Sequence, residues 1–100
     1  MLKKELIELC LLHLLEAQDQ YGYEMLSRVH TIFPDVNESA VYALLRGLKK
    51  DGFAETYQGQ TSAGPARKYY RLTGSGKERY QALSAQWRQL AEAMREMGVE

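Results

Sequence analysis

The side chains best suited to chemistry lie in residues 37–52, NESAVYALLRGLKKDG. Its polar and basic side chains are Ser39, Tyr42, Arg46, Lys49 and Lys50. At about 100° of rotation per residue, most of them gather on one side of a helix, and no acid interrupts them. Cationic groups match phosphate, and Ser, Tyr and Arg also reach base edges. The pattern favours a surface that contacts nucleic acid, the alternative being a solvated basic helix face.

The opposite side of this segment predicts how the helix is held. Its apolar residues recur at helical spacing, namely Val41, Leu44, Leu45 and Leu48. Asn37 suits an N-cap, and Gly52 suits the left-handed position after the helix end. The segment is therefore predicted as a helix of about four turns with one face for a core and one for a partner. Tyr42 is either a core-capping residue or a DNA contact.

Charge is polarised along a chain that is neutral overall. The length of 100 residues fits one small domain. The formal net charge of 0 gives the whole protein no general attraction to polyanions. Residues 38–72, however, hold six basic and three acidic side chains, so this part carries +3 and the remainder −3. The basic part contains the segment above.

Few other groups could do chemistry. Cys10 is the only cysteine, and with His13 and His30 it makes no cluster at metal-ligand spacing, so we expect no metal and no cofactor. Neither histidine has a plausible nucleophile partner, so we expect no enzyme. Glu5, Glu8 and His13 break the leucine-rich start of the chain. No signal peptide or membrane span is predicted, and we expect a cytoplasmic protein.

Two helices precede the basic segment. Residues 3–18 form a helix whose apolar arc is too wide for a single stripe, so its second side is expected to meet another subunit. Residues 23–33 form a second helix, which Pro34 ends. A very short turn then leads to the basic helix, and this pairing predicts a helix-turn-helix.

A hairpin follows the basic helix. Residues 53–58 and 67–72 read as strands, and the segment 59–65 between them is small, polar and rich in turn formers. On the second strand Arg67 and Arg71 point the same way, so one edge could offer two arginines to a phosphate backbone. This hairpin, residues 53–72, would be the wing of a winged helix-turn-helix. The predicted fold class is therefore α+β, mostly α: a winged helix-turn-helix with a two-stranded wing and a long C-terminal helix.

The last helix, residues 74–97, begins at Thr73 as N-cap and carries a heptad seam. The seam consists of Tyr80, Leu83, Trp87, Leu90, Met94 and Met97. A narrow seam needs a partner helix, which predicts a homodimer. The expected dimer interface comprises Leu6, Leu9, Tyr80, Leu83, Trp87, Leu90 and Met94. Residues 1–73 are then the DNA-binding domain, and residues 74–100 the dimerisation helix.

Three stretches together resemble the PadR family of winged-helix transcriptional regulators. They are YGYE at 21–24, ESAVYALLR at 38–46 continuing to KDGF at 50–53, and GPARKYYRLT at 64–73. The resemblance implies a homodimeric repressor that binds double-stranded DNA at a pseudo-palindromic operator. It implies DNA contacts from Ser39, Tyr42, Arg46, Lys49, Arg67 and Lys68. Many members have proline where this chain has Ala43, and many have a longer C-terminal domain.

The single C-terminal helix resembles the compact branch that includes multidrug-sensing repressors. In some of these a tryptophan on the dimerisation helix lines a pocket between subunits, and Trp87 matches its position. The resemblance thus implies a small planar hydrophobic effector that relieves operator binding. Its predicted site comprises Glu8, Leu9, Leu83 and Trp87. Trp87 could instead simply pack the interface, and Glu8 either faces solvent or lines the space between subunits. The alternatives are a constitutive repressor and a winged-helix module that binds an acidic protein.

Overall fold

A computed structural model describes residues 1–59 and 66–100 of the chain. Except for Gly59, the predicted hairpin tip lies outside these described residues. The elements in chain order are α1 Lys3–Ala17, β1 Gln20–Tyr21, α2 Gly22–Ile32, α3 Glu38–Lys50, β2 Ala54–Gly59, β3 Arg67–Leu72 and α4 Gly74–Met97. The predicted fold class is confirmed, because the described residues form four helices and one small antiparallel sheet, and the last helix is the longest.

Helix boundaries follow the predicted caps. The Asn37 side chain accepts a hydrogen bond from the Ala40 backbone N–H over 2.8 Å, which starts α3. The Thr73 hydroxyl accepts one from the Gly76 N–H over 3.0 Å, which starts α4. Gly52 has φ of +80°, the left-handed conformation expected after α3. These caps fix where the basic helix begins and ends relative to the sheet.

The sheet has one strand more than predicted. Strand β3 lies in the centre, with β2 on one side and the two-residue β1 on the other, all antiparallel. In register, Gln20 faces Tyr70 and Tyr21 faces Tyr69. Residues 20–21 were predicted as part of the break between two helices. Their pairing ties the start of α2 directly to the wing.

The core joins all four helices to the sheet. Its buried apolar side chains are Ile7, Leu11, Leu12, Leu15, Met25, Leu26, Val29, Val41, Leu45, Leu48, Ala54, Tyr70 and Leu83. Leu83 requires a correction, because it is only 2% exposed within the single chain. Its apolar surface is already covered by this core, so it has almost none to offer a second subunit or an effector. The heptad spacing identified the apolar face of α4, but it did not show that Leu83 on this face packs in the chain's own core.

Candidate nucleic-acid interface

The predicted contact residues lie on the outward face of α3, which faces solvent. Ser39, Arg46, Lys49 and Lys50 are exposed, whereas Tyr42 is half-buried. The Ser39 hydroxyl donates a hydrogen bond to Asn37 Oδ1 over 2.9 Å, beside the start of the helix. The inward face buries Val41, Leu45 and Leu48. The amphipathic arrangement of α3 is thus as predicted.

A cleft separates α3 from the wing. It measures about 500 Å³, and its lining consists of Tyr21, Gly22, Tyr23, Tyr42, Arg46, Arg67, Lys68 and Tyr70. Three of these side chains are cationic, and no acidic residue is among them. The structure therefore brings Arg46 of the helix and Arg67 and Lys68 of the wing to one opening, although twenty residues of sequence separate the two groups. An anion entering the cleft would meet positive charge from two walls.

The charges around the cleft are uncompensated within the described part of the chain. None of Arg46, Lys49, Lys50, Arg67 and Lys68 forms a salt bridge with another described residue. Arg71 differs, because its Nη2 lies 2.9 Å from Glu55 Oε1 on the neighbouring strand. The two arginines that the hairpin was expected to offer to phosphate therefore differ: Arg71 has a carboxylate partner, and Arg67 has none among the described residues.

Tyr42 and Tyr70 of the cleft have raised pKa values. Burial, followed by the nearby Glu38 carboxylate, raises the pKa of Tyr42. Burial also raises the pKa of Tyr70, and the neighbouring Arg46 only partly offsets it. These two phenols therefore stay neutral at neutral pH, and a neutral hydroxyl can donate a hydrogen bond to an anion rather than repel it.

Residues 21–23 also line the cleft, although no pattern in the sequence predicted this. The Arg67 guanidinium carbon lies 4.6 Å from the centroid of the Tyr21 ring. Gly22 lets the first turn of α2 approach α3, since a Cβ there would lie 3.0 Å from Tyr42 Cε1. The YGYE stretch was noted as a motif, but no periodic signal places it beside α3. Its contribution depends on β1, which pairs with a strand about fifty residues later.

A second concavity surrounds Trp87. This groove of about 420 Å³ is bordered by α1, α2 and α4, and Leu9 and Trp87 both line it. Trp87 is 47% exposed. At the same groove Tyr80 and His13 form a hydrogen bond of 2.8 Å between the phenol oxygen and Nδ1. Of the four predicted effector residues, the structure brings together only Leu9 and Trp87.

Glu8 forms an ion pair within the chain. Its carboxylate accepts two hydrogen bonds from Arg79, and its side chain is 14% exposed. It does not line the groove at Trp87. Both of its oxygens are engaged within the chain, and its place in an effector site between subunits stays a prediction.

Apolar side chains remain uncovered toward the end of α4. Met94 is 45% exposed and Met97 79%, in addition to Trp87. Tyr80 and Leu90 on the same helix, and Leu6 and Leu9 on α1, are half-buried. Apolar surface of this extent along one helix is typical of a contact with another protein chain.

Residues 1–59 and 66–100 contain neither a metal-binding cluster nor a membrane-spanning helix. No group of three or more His, Cys, Asp or Glu side chains there could hold a metal ion. The same residues include no helix long and apolar enough to cross a membrane. Cys10 is half-buried, and burial raises the pKa of its thiol, which disfavours the reactive thiolate.

A family model and solved structures relate the chain to one family. The model for the "Transcriptional regulator PadR-like family" matches residues 11–82. An uncharacterized protein of Lysinibacillus sphaericus is 35% identical over 86 residues, covering 82% of this chain and 78% of that protein. A PadR-like transcriptional regulator from Bacillus cereus has a TM-score of 0.86 at 28% identity, covering 94% of this chain and 92% of that one. A PadR family regulator from Clostridium difficile gives 0.81 at 28%, covering 91% and 96%.

Proposed function

The chain belongs to the PadR-like family of transcriptional regulators, and on this premise we propose that it is a homodimeric repressor acting in the cytoplasm on a pseudo-palindromic operator. The family consists of DNA-binding regulators rather than enzymes. Residues 1–73 would form the DNA-binding domain, and residues 74–100 the dimerisation helix.

The cleft between α3 and the wing is the observation that carries the proposal. Duplex DNA is a dense array of phosphates, and uncompensated Lys and Arg side chains release its counterions on binding. The proposed contacts are Ser39, Tyr42, Arg46, Lys49, Lys50, Arg67 and Lys68. In this arrangement α3 enters the major groove, and Arg46 is the principal contact because a guanidinium addresses guanine or phosphate with two hydrogen bonds.

Dimerisation is supported by the apolar side chains that α1 and α4 leave uncovered. The proposed interface comprises Leu6, Leu9, Tyr80, Trp87, Leu90 and Met94. A two-fold axis between two chains would present two copies of α3 to successive major grooves, roughly 34 Å apart. The symmetry of the operator would then mirror the symmetry of the protein.

Relief of repression is proposed through the groove at Trp87. An exposed indole beside Leu9 offers a flat apolar surface on which a small planar aromatic effector could stack. Such a ligand changes DNA affinity only if it binds the DNA-competent and incompetent dimers differently. Trp87 near the dimer axis would make the groove sensitive to the spacing of the two α3 helices.

Titration with DNA from upstream of the protein's own gene tests the central proposal. The logarithm of the wild-type affinity should fall linearly with the logarithm of the salt concentration, with a slope of about −0.9 for each phosphate neutralised. Arg46→Ala should weaken binding and reduce that slope by about 1. The control is Lys77→Ala on α4, which removes one positive charge outside the cleft.

The outcomes separate the alternatives. Equal, salt-insensitive affinity of wild type and Arg46→Ala would contradict DNA binding through α3 and favour a module that binds an acidic protein. Salt-dependent DNA binding that no planar aromatic compound changes would favour a constitutive repressor. The repressor role itself is measured with a reporter gene placed behind the upstream DNA, whose expression should rise when the protein is deleted.

A further inference from the structure

Arg67 is held over an aromatic ring at the edge of the cleft. Its guanidinium carbon lies 4.6 Å above the centroid of Tyr21, within cation–π range. Tyr21 is itself fixed from two directions. It pairs with Tyr69 in the sheet, with ring centroids 5.8 Å apart, and its backbone N–H donates to Glu24 Oε1 over 3.1 Å. The ring is therefore half-buried against the sheet at the edge of the cleft rather than fully extended into solvent.

Comparison with Arg71 shows what is particular about Arg67. Arg71 also lies over a tyrosine, 5.0 Å from the centroid of Tyr57. Its charge, however, is matched by the Glu55 carboxylate. Arg67 meets an uncharged ring, which orients a guanidinium without neutralising it. Arg71 is thus paired with a carboxylate of the neighbouring strand, whereas Arg67 is oriented by a ring and has no carboxylate partner among the described residues.

Tyr21, Arg67 and Arg46 line the same cleft, Arg46 from α3 and Arg67 from β3. The residues available to an anion there are cationic or phenolic, which matches a phosphodiester. A single oriented guanidinium binds phosphate with less loss of conformational freedom than a mobile one. The orientation of Arg67 would therefore depend on Tyr21, which lies in neither the wing nor α3.

We propose that Tyr21 is a positioning residue for DNA binding, whose ring holds Arg67 so that Arg67 and Arg46 close on one backbone phosphate. This inference rests on the proposed DNA-binding function. It extends the functional surface to β1 and predicts that the aromatic ring of Tyr21, not its hydroxyl, is what matters. A conservative replacement that keeps the ring should keep the function.

The test measures binding of a fluorescein-labelled duplex from upstream of the gene over a salt series. Tyr21→Leu should weaken binding about three- to fivefold, the range for an exposed cation–π contact, whereas Tyr21→Phe should retain wild-type affinity. In a double-mutant cycle, Tyr21→Leu should add nothing to Arg67→Ala but should add fully to Lys49→Ala. A role limited to general stability would not show this selective coupling.

Tyr57→Leu is the matched control. It removes the equivalent ring beneath Arg71, whose charge is already paired, so DNA affinity should not change. If Tyr21→Leu does not fold, a second measurement on the wild type decides. Proton NMR should show the Arg67 side-chain methylenes shifted upfield by the Tyr21 ring current, and unshifted resonances in the folded protein would overturn the proposal.

The failures of the two proposals are distinguishable. If Arg46→Ala and Arg67→Ala both leave DNA binding unchanged, the DNA-binding function of the cleft fails and this inference fails with it. If both weaken binding but Tyr21→Leu does not, or if its effect adds fully to that of Arg67→Ala, only the positioning role is wrong. A loss of affinity in Tyr21→Phe equal to that in Tyr21→Leu would likewise contradict the ring-based role.

Discussion

Arg79 of α4 donates two hydrogen bonds to Glu8 of α1, from Nε to Oε2 over 3.0 Å and from Nη2 to Oε1 over 3.1 Å. The hydrogen bond to Glu8 raises the pKa of Arg79. Removing the guanidinium would leave a carboxylate that is 14% exposed without its partner. We expect Arg79→Leu to lower the free energy of unfolding by about 2 kcal/mol, between the values for surface and buried pairs.

Urea unfolding followed by circular dichroism measures this loss, with Arg88→Leu as a control on the exposed part of α4. The double variant Glu8→Leu/Arg79→Leu should recover much of the stability, because no unpaired charge remains. An Arg79→Leu protein as stable as the wild type would show that the pair does not hold α4 on α1.

The first turn of α4 depends on Gly76. A Cβ at this position would lie 1.9 Å from the Phe53 carbonyl oxygen, whereas one at Gly74 would meet nothing within 4 Å. Gly76→Ala should therefore destabilise the protein by at least about 1–3 kcal/mol, since backbone must move. Gly74→Ala, in the same turn, should be neutral or stabilise by up to about 1 kcal/mol. Thermal unfolding of the two variants compares them, and similar melting temperatures would contradict the close approach.

Alkaline pH should weaken the link between Tyr57 and Asp19. The phenol donates a 2.6 Å hydrogen bond to Asp19 Oδ2, and this bond raises the pKa of Tyr57. A group whose pKa is raised on folding stabilises fully below its unfolded pKa, about 10 for tyrosine, and loses that contribution as pH rises through the folded pKa. The stability difference between wild type and Tyr57→Phe should stay constant from neutral pH to about pH 9 and shrink above about pH 10. Urea midpoints across this range test it, and a difference that grows with pH would contradict it.

The fold was predictable where local signals and tertiary packing agree. The caps at Asn37 and Thr73 and the period of α3 located the helices to within a residue or two, because those features act through neighbours in sequence. Strand β1 was missed for the opposite reason. Two residues have no periodicity, and the hydrogen bonds that make Gln20–Tyr21 a strand come from β3.

The candidate site divides in the same way. Arg46 was placed on the outward face because helix geometry fixes it, and Arg67 was placed on the wing by strand alternation. That the two share a cleft with Tyr21 follows only from the assembled sheet. Leu83 shows the limit of the heptad pattern, since it lies in the seam yet packs in the chain's own core. A seam defines a face, whereas the occupant of that face depends on the rest of the fold.

Dimerisation should depend on Leu90 and not directly on Leu83. Leu90→Glu would place a charge in the proposed apolar interface, so sedimentation velocity should show monomers that still fold. The control Gln89→Glu, at an exposed neighbour, should remain dimeric. Leu83→Ala should instead lower the free energy of unfolding by about 2–5 kcal/mol, the cost of a core cavity. A native dimer of Leu90→Glu would contradict an interface built on this face of α4.

Trp87 reports on the groove directly, because it is the only tryptophan in the chain. If its half-exposed indole is a stacking platform, planar aromatic compounds at micromolar concentration should quench its fluorescence and lower affinity for the upstream duplex. Calorimetry should show that Trp87→Ala no longer binds the same compound, while Met97→Ala, on the same helix but outside the groove, still does. Binding that survives in Trp87→Ala would place the compound elsewhere. Quenching without any change in DNA affinity would mean that the groove binds ligands without coupling to α3. A ligand with equal affinity for the DNA-competent and the incompetent dimer does not change the equilibrium between them.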